Sequence, residues 1–181
     1  MDREVAIGHR CLGGGRLMTS CALDRDVLSK SFRAAMGNVA AAVSVVTVLE
    51  DDRPHGTTVS AFASLSMDPP MLLVSLDNTS TLLSRLRAGS LVGVNVLDAR
   101  QDQVALRFAR KDADKFVDIP WQLEDGAPAL RDRHAWVAMS VAQLVEAGDH
   151  TLVLGDVLAA DVSTDAPLTY WQRTFGTHRA F

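Results

Sequence analysis

Residues 56–81 read GTTVSAFASLSMDPPMLLVSLDNTST, and this stretch decides the fold that the sequence predicts. It contains two apolar runs, at 59–65 and 71–76, and an MDPP turn at 67–70 separates them. Short apolar runs bounded by a proline turn are typical of β-strands. The stretch therefore predicts two neighbouring strands of a sheet.

Small hydroxyl side chains accompany both runs and collect at the end of the second one. The segment DNTST at 77–81 directly precedes LLSRL at 82–86, and the leucine spacing predicts a short helix over 79–88. Hydroxyl groups and free backbone N–H groups at a helix start are the components of an anion site. Ser and Thr at such positions are also ordinary N-caps. The stretch alone leaves a phosphate site and a plain cap equally open.

The bulk composition predicts a soluble globular protein. The chain has 181 residues, of which 48% are hydrophobic and 22% are charged, which is enough apolar material for a sizeable core. A net charge of −4 disfavours nucleic acid as a partner. The apolar run at 39–49 carries Ser44 and Thr47 and is too short to cross a bilayer, so no membrane association is expected.

The first 22 residues differ in character from the rest. They carry mixed charges without an uninterrupted apolar stretch, so no secretory signal is expected and residues 1–22 are interpreted as a flexible tail. Met18 offers an alternative to Met1 as the translation start. The two cysteines, Cys11 and Cys21, lack metal-site spacing, and their scarcity fits a reducing cytoplasm. Residues 23–181 are predicted to form the single folded domain.

Hydrophobic periodicity predicts strands that outnumber helices. A four-residue spacing predicts a helix from Asp24 or Asp26 to Gly37, and a further helix is expected over 98–110. Strands are expected at 40–49, 56–66, 71–76, 91–97, 136–145 and 151–160, and the polar region 111–132 is interpreted as a surface excursion. Strands joined mostly by tight turns favour an antiparallel barrel with attached helices.

Common nucleotide and hydrolase motifs are absent from the sequence. It contains no G-x-G-x-x-G, no phosphate-loop G-K-[ST], no H-E-x-x-H and no G-x-S-x-G. The five histidines, His9, His55, His134, His150 and His178, are dispersed without ligand spacing, so no metal site is expected. A Rossmann-type dinucleotide fold is thereby disfavoured, but a flavin or nicotinamide site of another architecture is not.

Two further segments are candidates for chemistry. The basic segment ARKDADKF at 109–116 follows a predicted helix and could supply cations to a phosphate. A solvated helix end is the simpler interpretation, because the helix dipole favours Arg and Lys there. The segment GDHT at 148–151 is a hairpin turn signal first, and a lone His beside it is more often incidental than catalytic.

Taken together in order, these motifs resemble the short-chain flavin reductases that supply reduced flavin to two-component monooxygenases. The segment FARKDADKF at 108–116 is most similar to the NADH:FMN reductases of actinomycete polyketide-antibiotic pathways. The resemblance rests on FRAAMG at 32–37, VVT at 45–47, PHGTT at 54–58, Phe62, Ser64, Ser66, DPP at 68–70, VNVL at 94–97, Gln103, RFA at 107–109, KF at 115–116, GDH at 148–150 and LTY at 168–170.

The resemblance implies a mainly β fold with attached helices, namely a Greek-key-like antiparallel split β-barrel of the FMN-binding type, usually a homodimer. Positions along the isoalloxazine ring and ribityl chain are Pro54, His55, Gly56, Thr57, Thr58, Ser60 and Ala61. The ribityl-phosphate end corresponds to Ser75, Leu76, Asp77, Asn78, Thr79, Ser80, Thr81 and Leu82, with Ala109, Arg110 and Lys115 on the phosphate side. Nicotinamide binding is assigned to Gly148, Asp149, His150 and Thr151, and His150 is the candidate catalytic residue.

One departure from the family pattern affects flavin preference. Family members often have Asn-Ser-Phe where this chain has Ser60-Ala61-Phe62, so an amide and a hydroxyl are missing from the ring's surroundings. The choice between FMN and FAD is therefore open. The choice between NADH and NADPH is open as well, because no clear 2′-phosphate site can be located in the sequence.

The expected function is NAD(P)H-dependent flavin reduction, with NADH as hydride donor and FMN, or FAD, as acceptor, for a flavin-dependent monooxygenase partner in the cytoplasm. The alternative is a flavin-binding split barrel without reductase activity, acting as a carrier or structural subunit. A third interpretation is a pyridoxamine-phosphate-oxidase-like or haem-binding protein, since such proteins use a related barrel.

Overall fold

The computed structural model describes residues 17–111 and 114–179, with burial and side chains described from residue 24 onward. The chain divides between Val39 and Ala40 into two compact units. From the sequence, the boundary between a flexible tail and the folded domain was predicted after residue 22. Residues 1–16, which make up most of that predicted tail, lie outside the described residues.

The first unit is built around one helix. Helix α1 spans Leu17–Met36, so it begins before the predicted start near Asp24 and ends one residue before Gly37. It therefore crosses the predicted boundary between tail and domain. Its apolar side chains Val27, Leu28 and Phe32 are all more than 60% exposed.

The second unit is mainly β. Its described residues contain the short helix α2 (Asp102–Phe108) and a 3₁₀ helix (Leu83–Arg85). Its strands are β1 (Ala41–Ala42), β2 (Ser44–Glu50), β3 (Arg53–Val59), β4 (Phe62–Met67), β5 (Pro70–Asp77), β6 (Leu91–Val96), β7 (Trp121–Glu124), β8 (Ala127–Leu130), β9 (Ala135–Ala147), β10 (His150–Val162), β11 (Leu168–Trp171) and β12 (Thr174–Thr177).

The principal sheet has seven strands in the order β3-β2-β6-β9-β10-β5-β4, and every neighbouring pair is antiparallel. A three-stranded sheet has the order β1-β11-β12, and β7 pairs with β8 in a separate hairpin. The mainly β, antiparallel fold with attached helices that the sequence predicts is confirmed.

The connection between the two edge strands determines how the principal sheet curves. Strands β3 and β4 lie at opposite edges, yet only Ser60 and Ala61 separate them in sequence. Seven strands in a flat sheet would place the edges about 29 Å apart, given a spacing of about 4.8 Å. Three Cα–Cα steps, from Val59 to Phe62, reach at most about 11 Å. The sheet must therefore curl until its edges meet, which is the geometry of a split barrel.

The edges meet without pairing through a ladder, because the described strands β3 and β4 bond to β2 and β5 instead. Hydrogen bonds anchor both sides of the crossing. The Ser44 hydroxyl donates to the Val59 carbonyl at 2.9 Å, and the Ser75 amide donates to the Ala61 carbonyl at 2.8 Å. Ser60 and Ala61 are exposed, whereas Val59 before them is buried.

The valine-rich strands fill the barrel interior. Val46, Val74, Val94 and Val153 belong to one buried cluster and are at most 1% exposed. β-branched residues suit a pleated surface with a buried face, and these four positions supply it from four different strands. A second cluster packs α2 against the sheet through Phe108, which has no exposed surface.

Buried polar groups in this core have partners. The Asn95 amide donates to the Val45 carbonyl at 3.1 Å, and its oxygen accepts from the Leu130 amide at 2.7 Å. The Thr47 hydroxyl donates to the Pro128 carbonyl at 2.6 Å. These bonds attach the β7–β8 hairpin to β2 and β6, so the region 111–132, predicted as an excursion, is partly a docked hairpin.

Two predicted helices differ from the observed ones. The helix expected over 79–88 is only a 3₁₀ turn at Leu83–Arg85, because Leu86 is already extended and both Leu82 and Leu86 are buried in the core. The helix expected over 98–110 is shorter, at Asp102–Phe108. Tertiary burial of the leucines outweighs the helical spacing in the first case.

Gly93 lies where β6 meets the Trp136 ring, and we expect Gly93→Ala to destabilise the protein. An added Cβ would lie 2.3 Å from Trp136 Cη2 and 2.7 Å from Thr47 Oγ1. Overpacking of this kind costs about 1–3 kcal/mol. Denaturant unfolding should show this loss, while Gly176→Ala, whose Cβ would lie 3.6 Å from the nearest atom, should stay near wild type. Equal stability of the two variants would contradict the packing described.

Candidate functional site

The crossing from β3 to β4 forms one wall of a cavity of about 350 Å³. Three other segments complete it: the end of β5 with the turn that follows, the segment after α2, and the first residue of β10. The lining residues are Thr57, Thr58, Val59, Ser60, Ala61, Ser75, Leu76, Asp77, Thr79, Ser80, Thr81, Ala109, Arg110, Lys111, Lys115 and His150. We call this the inner cavity.

The turn after β5 is shaped by side-chain hydrogen bonds. The Asp77 carboxylate accepts from the Thr79 amide and the Thr79 hydroxyl, both at 2.7 Å. These bonds lower the pKa of the Asp77 carboxyl, the Thr79 hydroxyl contributing most. The Asn78 side chain accepts from the Thr151 hydroxyl at 2.8 Å and donates to the Gly148 carbonyl at 3.3 Å. The turn is thereby attached to the start of β10.

Two side chains attach α2 to β3. The Thr58 hydroxyl donates to the Ala105 carbonyl at 2.6 Å. The Lys115 ammonium donates to the Gly56 carbonyl at 3.1 Å and to the Phe108 carbonyl at 2.9 Å. Burial lowers the pKa of Lys115. An ammonium has three donors, so Lys115 retains one after these two bonds.

Gly56 permits this close packing because it has no side chain. A Cβ there would lie 2.9 Å from the Phe108 ring and 3.3 Å from the Thr47 methyl group. The helix end can therefore lie directly against β3, and this brings the segment after α2 to the cavity.

The β9–β10 turn brings His150 to the rim of the inner cavity. Gly148 has a φ of +67°, a conformation that suits glycine in a tight turn. His150 lies opposite Asp77 in the β5–β10 register, and its Nδ1 is 2.7 Å from the Asp149 carboxylate. The hydrogen bond to His150 lowers the pKa of Asp149. The carboxylate thus orients the imidazole at the cavity mouth.

A second cavity, of about 830 Å³, adjoins the first. We call this the outer cavity. The two share Thr81, Lys111 and Lys115 as lining residues. The remaining lining residues of the outer cavity are Arg53, Pro54, His55, Gly56, Leu82, Arg85, Asp114, Phe116, Val117 and Trp121. Burial lowers the pKa of His55, and the positive charge of Arg85 adds to that effect.

Most residues named from the sequence lie at one of these two cavities. Thr57, Thr58, Ser60, Ala61, Ser75, Leu76, Asp77, Thr79, Ser80, Thr81, Ala109, Arg110, Lys115 and His150 line the inner cavity. Pro54, His55, Gly56 and Leu82 line the outer one. Four of the named residues line neither cavity, namely Asn78, Gly148, Asp149 and Thr151. Their hydrogen bonds shape the turns beside the inner cavity.

Several lining residues were missed from the sequence. Lys111 lies within the basic segment and could have been found with its neighbours. Arg53, Arg85 and Trp121 come from three separate segments, and nothing in their local sequence indicates that they meet. Only the curl of the sheet and the docked β7–β8 hairpin bring them together.

Neither a metal-binding cluster nor a membrane-spanning helix occurs among the described residues. No group of three or more His, Cys, Asp or Glu side chains there could coordinate a metal ion. No helix in that part of the chain is long and apolar enough to cross a membrane.

The chain matches the family described as "Flavin reductase like domain" over residues 36–179. A probable flavin reductase of Rhizobium meliloti is 36% identical over 152 residues, which cover 83% of this chain and 49% of that protein. The chain thus spans about half the length of that relative. An NADH:FMN oxidoreductase of Rhodococcus erythropolis is 34% identical over 155 residues, with 82% and 81% coverage.

Solved structures agree with this match. The flavin reductase PheA2 in its native state has a TM-score of 0.77 at 29% identity, covering 83% of this chain and 98% of its own. The NADH:FAD oxidoreductase SgcE6 of Streptomyces globisporus, in complex with NAD and FAD fragments, has a TM-score of 0.76 at 31% identity, covering 83% and 90%.

We expect Asp77→Ala to lower the free energy of unfolding at neutral pH, because the turn loses both Thr79 bonds. The folded-state pKa of Asp77 lies below its usual value of 3.8, so this stabilisation is fully present above that value. It is lost as the pH falls through the lowered pKa. Unfolding curves of wild type and variant should therefore converge in acid, and Asp156→Ala, at an exposed aspartate of β10 outside this turn, is the matched control. A gap that is constant from pH 7 to pH 3 would contradict this role.

Proposed function

The chain belongs to the flavin reductase like domain family, and we propose that it is an NAD(P)H-dependent flavin reductase. It transfers a hydride from NADH to FMN or FAD and supplies the reduced flavin to a partner monooxygenase. The observation that carries the proposal is the inner cavity, in which a small exposed wall, a hydroxyl-rich turn, basic side chains and a histidine converge. Relatives named as NADH:FMN oxidoreductase and as a monooxygenase reductase component support the same activity.

The donor set of the inner cavity fits a phosphorylated flavin. Ser60 and Ala61 are small and exposed, so a flat ring can approach the backbone of the crossing closely. Ser80 and Thr81, which carry hydroxyls, line the same cavity, as do the basic residues Arg110 and Lys115. Charge-assisted hydrogen bonds from such cations stabilise a phosphate better than neutral donors do. The cavity thus offers an exposed backbone wall to the flavin ring, and hydroxyl and basic groups to its phosphate.

Bound flavin supplies the hydride-accepting ring. The protein itself therefore needs to bind the flavin, orient it against the nicotinamide and shield both rings from water. The β3–β4 crossing orients one face of the site. The Asp77–Thr79 bonds hold the hydroxyl-rich turn after β5 in place. The Lys115 bonds hold the basic segment after α2 against β3, which leads into the crossing. The hydride transfer itself requires no acid–base pair, and holding the two rings at close range supplies proximity and orientation.

His150 is proposed to contact the nicotinamide at the cavity mouth. The neighbouring Asp149 carboxylate accepts a hydrogen bond from its imidazole and so maintains the ring orientation. Gly148 and Thr151 support this position through Asn78, which bonds to both. His150 is therefore the residue that we assign to the hydride-donor side.

A homodimer in the cytoplasm is proposed as the working form. The edge strand β4 presents Leu65 and Met67, which are 45% and 78% exposed. Apolar side chains on an unpaired sheet edge favour a protein partner that covers them.

We expect the purified protein to oxidise NADH only when FMN, FAD or riboflavin is added. In His150→Ala, turnover should fall by roughly tenfold to a hundredfold, as expected for the loss of one positioning contact, with flavin affinity nearly unchanged. NADH absorbance and flavin fluorescence measure the two quantities, and His178→Ala serves as an exposed-histidine control. Flavin binding without NADH oxidation in the wild type would indicate a carrier and contradict the reductase. Unchanged turnover in His150→Ala would remove His150 from the donor side.

Lys115→Ala should weaken flavin binding by about tenfold or more, the effect of losing one charge-assisted hydrogen bond. The variant also loses the bonds to Gly56 and Phe108, so its fold must first be verified by circular dichroism. Lys30→Ala on α1 is the matched lysine control. Wild-type flavin affinity in a folded Lys115→Ala protein would exclude Lys115 from the phosphate side.

A further inference from the structure

Asn78 joins two turns that contribute to different walls of the inner cavity. The turn after β5 supplies Asp77 and Thr79 to the lining, and the β9–β10 turn leads into His150. The β5–β10 ladder ends at the pair of Asp77 and His150, and Asn78 is the first residue beyond that pair. Segments beyond the end of a ladder open more readily than the ladder itself, so further bonds decide how firmly the two turns stay together.

Residue 78 makes three hydrogen bonds to the β9–β10 turn. Its backbone N–H donates to the Asp149 carbonyl at 3.0 Å. Its side-chain amide donates to the Gly148 carbonyl at 3.3 Å and accepts from the Thr151 hydroxyl at 2.8 Å. An amide serves as donor and acceptor at once, whereas a carboxylate only accepts. The bonds therefore hold the residues on both sides of His150.

The imidazole of His150 depends on this turn for its orientation. Its Nδ1 lies 2.7 Å from an Asp149 carboxylate oxygen. The Asp149 side chain is 94% exposed, and a polar pair so open to water contributes little by itself. The place of the carboxylate is therefore set by the backbone of Asp149, whose carbonyl accepts from the Asn78 N–H.

Asn78 itself lines neither cavity. The family resemblance assigned it to the ribityl-phosphate end of the flavin, together with its neighbours. Both polar ends of its side-chain amide instead have partners in the β9–β10 turn. Any effect of this side chain on the reaction must therefore pass through the residues that it holds.

We propose that Asn78 is a positioning residue for the hydride-donor side and not a ligand of the flavin phosphate. It holds the β9–β10 turn against the turn after β5, so that His150 faces the nicotinamide while flavin occupies the inner cavity. This inference rests on the proposed flavin reductase function and on the role of His150 in it.

The test is a double-mutant cycle in which Asn78→Ala and His150→Ala are made singly and together. Asn78→Ala removes both side-chain bonds and retains the backbone bond. The matched control is Asn38→Ala, because Asn38 is an exposed asparagine whose amide also donates to a backbone carbonyl, that of Ala34 at 2.8 Å, and it lines neither cavity. Steady-state rates give kcat/KM for NADH, and fluorescence titration gives the FMN affinity.

In Asn78→Ala we expect kcat/KM for NADH to fall about threefold to tenfold, the effect of losing one or two neutral hydrogen bonds, with FMN affinity unchanged. In the His150→Ala background the same substitution should cost less than about twofold, because the residue through which Asn78 acts is already gone. A merely structural residue would give additive losses.

Thr151 provides an independent check, which also serves if Asn78→Ala fails to fold. Thr151→Val removes one of the bonds to Asn78 with little change of shape, and kcat/KM for NADH should fall in the same direction. Thr151→Ser retains the hydroxyl and should match the wild type. Equal rates in the two Thr151 variants would contradict the inference.

Weaker FMN binding in Asn78→Ala, with losses that add to those of His150→Ala, would return Asn78 to the flavin phosphate and overturn the inference. Wild-type kinetics in folded Asn78→Ala, or in His150→Ala, would overturn it as well. These outcomes are separable from failure of the proposed function. A protein that oxidises no NADH with any added flavin would refute the reductase itself, whereas normal reductase activity with an additive cycle would refute only the role of Asn78.

Discussion

The two-residue crossing at Ser60 and Ala61 is the constraint on which the rest of this structure depends. It joins strands that lie at opposite edges of a seven-stranded sheet. Because the chain cannot stretch across a flat sheet, the sheet has to close on itself. Strands β3 and β4 do not pair with each other at the crossing. Two small, exposed residues therefore remain at the point where the edges meet. The inner cavity lies against those positions, which makes the site a direct consequence of the fold.

The other walls are attached to this crossing by a few polar contacts. Thr58 and Lys115 join β3 to α2, and Asn78 joins the β5 turn to the start of β10. Each of these side chains uses part of its hydrogen-bonding capacity for bonds within the protein. Residues of the same segments line the inner cavity. Their first effect is therefore positional, because they determine the distance between the hydroxyl-rich turn and the basic segment. We propose that ligand binding and local stability depend on the same groups.

Much of the fold could be predicted from the sequence, since alternating and valine-rich segments specify strands directly. The proposed site segments could also be named, because the motifs at 54–58, 77–81, 109–115 and 148–151 are each continuous in sequence. The 3₁₀ turn at Leu83–Arg85 could not, because burial of Leu82 and Leu86 is a tertiary effect. The outer cavity was missed for the same reason: its arginines and Trp121 are distant in sequence and meet only in the curled sheet.

We propose that the β3–β4 crossing forms the wall against which a flavin ring lies. A crystal structure of the protein with FMN tests this most directly. We expect ring density against Ser60 and Ala61, with the phosphate near Thr81 and Lys115. An FMN molecule bound elsewhere, with the inner cavity filled only by solvent, would contradict it.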